Sequence, residues 1–186
     1  MKIEESVVIH RPPEEVFAFL EVRSNDAAWM ASVVASAWLN PTGADLAAPI
    51  GIGRRCRMVM KLPGRRAEFI DEVTEYEPGR RIAHRTVSGP IPSNRACICE
   101  RASDSCRTTV VGATERLPGG PVGRIAAPLV ASIIRRGFKA DLARLKKILE
   151  SEGKAGSPAI GQPAALTCRC RSVRPSCALR ALGDER

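Results

Sequence analysis

Aromatic side chains are scarce in this chain, with four Phe, two Trp and one Tyr among 186 residues. They form no cluster with Lys and Arg, so the platform that stacks nucleic-acid bases is missing in spite of a net charge of +9. Nucleic acid is therefore not expected as a partner. Histidine is scarcer still, with only His10 and His84. The seven cysteines include no CxxC pair, and their spacing fits no common zinc pattern, so neither a metal nor another cofactor is expected. No apolar run approaches the roughly 18 residues of a membrane span, and Met1 to His10 reads as a strand rather than a secretory signal. The expected setting is the cytoplasm, where thiols stay reduced and those in strands are mostly buried. No motif in the sequence dictates a reaction.

What is present is an order of elements. A short strand (Lys2 to His10) and a helix are followed by about six strand-like segments and then by one long amphipathic helix from about Pro121 to Glu152. The expected fold class is α+β: a curved antiparallel β-sheet wrapped around the long C-terminal α-helix, with two short helices closing one end. Hydrophobic content of 44% suffices for a core, and nothing splits residues 1–152 into two domains. Residues 153–186 combine Gly, Pro, Ser, Ala and Arg with Cys168, Cys170 and Cys177 and have no apolar period, so a disordered basic tail is expected there. Six basic against two acidic side chains make it the source of four of the nine net positive charges.

Local signals place the elements. Pro12 and Pro13 followed by Glu14 and Glu15 start a helix whose first turn suits proline and carboxylate, with Val16, Phe17, Phe19 and Leu20 on its apolar side. A second helical turn is expected over Asn25 to Met30, capped by Ser24 or Asn25 and turning Trp29 inward. From Arg54 to Leu62 the side chains alternate, with Cys56, Met58, Met60 and Leu62 facing in. Arg54, Arg55 and Arg57 read as a solvated strand face.

Glu77-Pro78-Gly79-Arg80 predicts a hairpin between Glu68–Tyr76 and Arg81–Val87. Centred there, the hairpin sets Asp71 opposite Thr86, Val73 opposite His84 and Glu75 opposite Ile82, all on the face that also carries Ala67 and Phe69. Asp71 and His84 then lie diagonally near each other inside the protein. A second hairpin, turning at Ala102 to Ser105, puts Cys97 and Cys99 on the face of Thr108 and Val110. In the final helix Ile125, Leu129, Ile133, Phe138, Leu142, Leu145 and Leu149, at steps of three to five, read as the inward stripe. Pro128 is expected to kink or restart that helix.

Residues 9–20 (IHRPPEEVFAFL), Asn25 and Trp29, then Gly51-Ile52-Gly53-Arg54-Arg55, resemble the opening of the SRPBCC or START-like superfamily in its polyketide cyclase/dehydrase group. Glu72 to Ala83, Ser88-Gly89-Pro90 and Asp141 to Lys146 are similar to that group too, so the resemblance covers residues 1–152. It implies a helix-grip fold with a hydrophobic cavity between sheet and helix. Its members bind lipids, polyketides or other apolar molecules, and a minority catalyse cyclisation or dehydration. The chain departs from the pattern at Cys97 and Cys99, where relatives often carry aromatics, and in the tail.

The expected ligand-binding residues are Trp29, Met58, Met60, Phe69, His84, Cys97, Cys99, Ile133 and Phe138, although core packing alone would produce the same apolar pattern. His84 with Asp71 is the candidate catalytic pair, a general acid and base on an enolisable ligand. Against it stands an ordinary hydrogen-bonded polar pair in a cavity wall. Three functions follow: a carrier or sensor of a small hydrophobic ligand, a cyclase or dehydratase in the same cavity, or a protein-binding member of the fold. A homodimer is left open.

Overall fold

The computed structural model describes residues 2–39, 49–114 and 120–152. The expected tail, with its three cysteines, and most of the expected loop from Pro41 to Gly53 lie outside the described residues. The chain forms β1 (Lys2–Ile9), α1 (Pro13–Glu21), a single 3-10 turn (Arg23–Asn25), α2 (Asp26–Trp29) and β2 (Val33–Trp38). There follow β3 (Arg55–Leu62), β4 (Arg65–Glu77), β5 (Arg81–Ser88), β6 (Asn94–Ala102), β7 (Ser105–Ala113) and α3 (Gly120–Glu152). One antiparallel sheet holds all seven strands in the order β1-β7-β6-β5-β4-β3-β2. The chain runs as hairpins from β2 to β7, and β1 then pairs with β7, leaving the early strands β1 and β2 at the two edges.

Each element has a local cause. Pro13 opens α1 with Glu14 and Glu15 in its first turn, and Val16, Phe17 and Leu20 are buried beneath it. Neither α1 nor α2 carries a side-chain cap. The expected cap by Asn25 is not made, because its amide instead donates to the Phe19 carbonyl at 2.9 Å and ties the turn back onto α1. Gly79, at φ 73°, supplies the left-handed residue of the β4–β5 turn.

The hairpin register agrees with the sequence reading at Asp71–Thr86 and Val73–His84 and departs from it one step later. The register shifts between Val73 and Glu75, so Glu75 faces Ala83 and Tyr76 faces Ile82. That irregularity inverts the alternation. Glu75 is therefore not on the inner face: it is exposed and pairs with Arg81 at 2.7 Å, while Tyr76 packs on the core. Arg54 also departs from the solvated-face reading, since its guanidinium lies 5.0 Å from the Trp38 ring centre.

The core lies where α3 crosses the end of the sheet closed by α1, around Ile9, Phe17, Leu20, Val73, Ile82, Leu142 and Leu145. Backbone contacts lock the helix in place there. His10 N–H donates to Glu150 at 2.9 Å, Lys146 Nζ to the Val8 carbonyl at 2.6 Å, and Arg11 Nε to the Leu149 carbonyl at 3.1 Å. The helix runs unbroken through Pro128, with no restart.

Two members of the expected inward stripe, Leu129 and Ile133, are 66% and 60% exposed. The fault is the step of five from Ile133 to Phe138, which turns a helix about 140° off its face. The inward row instead runs Ile134, Phe138, Leu142, Leu145 and Leu149, at steps of four and three. Ile125 lies among the side chains outside the description.

Candidate functional site

Away from the packed end, sheet and helix part to enclose two adjoining chambers. The first, about 200 Å³, has apolar walls that include Met60, Leu62, Phe69, Ile91 and Phe138. The second, about 110 Å³, lies deeper, against Trp29, Met58, His84, Cys97 and the charged side chains Arg23, Asp26 and Arg95. Met60, Arg95 and Phe138 line both and form the waist between them.

The deep chamber is built from two balanced ion pairs. Asp71, 1% exposed on β4, accepts from Arg95 of β6 and from the Thr86 hydroxyl at 2.9 Å. Arg95 also donates to the Met58 sulfur at 3.4 Å, which fixes its guanidinium on the sheet floor. Asp26, also 1% exposed, faces Arg23 at 3.5 Å. Burial pushes the Asp26 carboxyl up from the usual range, against the pull of Arg23. Arg23 is held by the Leu20 carbonyl and lies 5.1 Å from the Trp38 ring centre, whose indole N–H donates to the Glu21 carbonyl at 3.1 Å. Each guanidinium is thus paired before any ligand arrives.

His84 is 6% exposed, and neither of its ring nitrogens has a hydrogen-bond partner among the described residues. Burial first, then the Arg23 and Arg95 charges, push its pKa down to about 2, so the ring is neutral at physiological pH. The expected contact between His84 and Asp71 is not made, because Arg95 and Thr86 take the carboxylate. Trp29, 3% exposed, also has an unpartnered Nε1. A neutral imidazole offers one donor and one acceptor, and the indole offers a donor. Unsatisfied buried polar atoms are rare and costly, and these line a cavity.

Of the other expected site residues, Met58, Met60, Phe69, Cys97 and Phe138 line the chambers. Cys99 does not: it lies 2% exposed in the core under α1, opposite Thr108. Ile133 points to solvent, and its neighbour Ile134 lines the apolar chamber. Burial raises the thiols of Cys56 and Cys97 to about 11, which keeps them protonated and poor nucleophiles. Among the described residues no group of three or more His, Cys, Asp or Glu is placed to hold a metal ion.

Arg23, Asp26 and Arg95 were not singled out by the sequence reading. Arg95 carries a usable signal, since it shares strand parity with Cys97 and Cys99, which lie on the expected inward face. The Arg23–Asp26 pair sits in a 3-10 turn and a single α-turn that no periodicity marks.

The comparisons agree with this architecture. Among solved structures, TTHA0849 from Thermus thermophilus superposes with a TM-score of 0.67 at 16% identity, covering 84% of this chain and 100% of that one. The Zhui aromatase/cyclase from Streptomyces sp. R1128 gives 0.66 at 16% identity, covering 85% and 99%. A START superfamily protein from Mycobacterium smegmatis gives 0.58 at 14% identity, covering 84% and 99%. At such identities the likeness speaks to fold. No curated protein matches the sequence. The pattern of one family does match, across residues 1–150, and with the helix-grip architecture in place the chain belongs to that family, described as polyketide cyclase / dehydrase and lipid transport.

Proposed function

We propose that the protein binds a small, largely apolar molecule between sheet and helix, as a carrier or sensor. One observation carries this reading: an apolar chamber adjoins a deeper one that ends on the unpartnered Trp29 Nε1 and His84 nitrogens. Apolar burial supplies affinity at about 25 cal/mol per Å², and the Trp29 and His84 nitrogens, beside the Arg23 Nε and Asp26 Oδ2 that also make no hydrogen bond among the described residues, select a ligand with a hydroxyl or carbonyl at one end. Each ion pair is neutral as a whole, so a neutral head group is favoured over a charged one.

A cyclase or dehydratase is the second reading. It is supported by the family and by an imidazole facing the cavity. Its difficulty is the low basicity of His84, whose expected carboxylate partner serves Arg95 instead. A general base works best with a pKa near the operating pH. A protein-binding role has no comparable feature in its favour. The cytoplasm remains the proposed setting, and no helix among the described residues is long and apolar enough to cross a membrane.

The test is native mass spectrometry of the protein purified from its own host, followed by organic extraction. A retained neutral apolar compound near unit stoichiometry supports a carrier. An empty protein, with no affinity for hydrophobic probes, overturns it. His84→Ala separates the two leading readings: a carrier keeps the apolar share of its affinity and loses only what the imidazole hydrogen bond adds, about 10-fold, whereas an enzyme loses about 100-fold or more in turnover.

A further inference from the structure

We infer that Phe138 is the partition that sets the length of ligand the protein accepts, with Gly112 as its seat. The inference rests on the proposed binding role. Ligand sites for drug-sized molecules run from about 300 Å³ upward. The apolar chamber, at about 200 Å³, and the deep one, at about 110 Å³, each fall short of that. Only a ligand that spans the waist uses both the apolar walls and the polar atoms of His84 and Trp29.

Three side chains form the waist, and they differ in freedom. Arg95 is anchored by Asp71 and Met58, so the floor is fixed. Met60 and Phe138 carry no such anchor, and Phe138 alone comes from the helix side. Its ring presses on β7 at the one place where a side chain is missing: a Cβ at Gly112 would lie 2.8 Å from the Phe138 Cζ and 2.9 Å from its Cε2. Any other residue at 112 would drive the ring off the sheet. Gly112 also lines the apolar chamber, so a methyl there takes space from the ligand directly.

The probe is a homologous series of straight-chain 2-alkanones, competed against the neutral dye N-phenyl-1-naphthylamine. In the unmodified protein, affinity rises about fourfold for each methylene that finds room and then stops rising. Phe138→Ala moves that plateau to longer chains, and Phe138→Leu moves it less far in the same direction. Gly112→Ala moves it to shorter chains, and in the double variant with Phe138→Ala the part of that shortening that comes from the displaced ring disappears, leaving only the space the methyl itself takes. Should Phe138→Ala fail to fold by circular dichroism, Phe138→Leu and Gly112→Ala decide. Coincident plateaus in all folded variants overturn the partition while leaving the binding role standing. An unmodified protein that takes up neither dye nor alkanone overturns both.

Discussion

From Leu142 onward, α3 meets the sheet through Leu142, Leu145 and Leu149, all buried, and three hydrogen bonds tie that end of the helix to the segment from Val8 to Arg11. Before Phe138 the same helix covers a hollow and turns Leu129 and Ile133 to solvent. One half of the helix closes a core and the other roofs a cavity. Stability and binding are thereby assigned to different ends of a single element. Substitutions at the packed end should be felt in folding, and those at the hollow end in what the cavity holds.

The deep chamber is where this division is most exposed to test, because its charges are buried without being part of the leucine core. Arg23→Met leaves Asp26 charged and shut away from water, and a cost of about 3–5 kcal/mol in urea unfolding at neutral pH is expected. Burial already raises the Asp26 carboxyl, and losing Arg23 raises it further. The native state then takes up a proton more readily, and the loss should shrink as pH falls toward 5. A loss independent of pH would mean that Asp26 is not the group left unpaired. At the packed end, Leu145→Ala should cost about 2–5 kcal/mol by opening a cavity in the core, with alkanone chain-length preference unchanged. A large change in that preference would mean that core and cavity are not separate.

His84 gives a third test. Its native pKa of about 2 lies below its ordinary value of 6.5. Between the two values the unfolded chain binds a proton that the native state refuses. The contribution is therefore whole above about pH 6.5 and is lost as pH falls, by up to about 1.4 kcal/mol per pH unit. The difference in unfolding free energy between the unmodified protein and His84→Phe should be constant above about pH 7 and shift toward the variant below about 6. Parallel pH profiles would place His84 in water.

The elements of the fold were largely legible in the sequence. Proline and two glutamates marked α1, strict alternation marked β3, and Pro78-Gly79 centred a hairpin whose pairing at Asp71 and Val73 follows from counting outward. The count failed at the irregularity after Val73, because no residue there announces a shift of register. The candidate site was harder to read for a related reason. Met58, Met60, Phe69 and Phe138 fall on inward faces that periodicity can find, whereas Arg23 and Asp26 sit in two single turns without a period. Asp71 was placed correctly but paired wrongly, since a two-strand register shows its diagonal neighbour His84 and not Arg95 on the next strand over.

The finest test concerns the helix phase itself. Ile133 and Ile134 are adjacent, chemically identical and assigned to opposite faces: one is 60% exposed and the other lines the apolar chamber. Ile133→Ala should alter the melting behaviour by no more than a surface change does, about 0.5 kcal/mol, with binding unaffected. Ile134→Ala removes a wall rather than a core contact and should cost about 1 kcal/mol, while lengthening the alkanone that fits. The opposite pattern, with Ile133 sensitive and Ile134 silent, would rotate the roof of the cavity by about 100° and restore the stripe that passes through Leu129 and Ile133. The packed end could not follow that rotation, because Leu142, Leu145 and Leu149 are already in contact, so the helix would have to change its winding between Ile134 and Leu142.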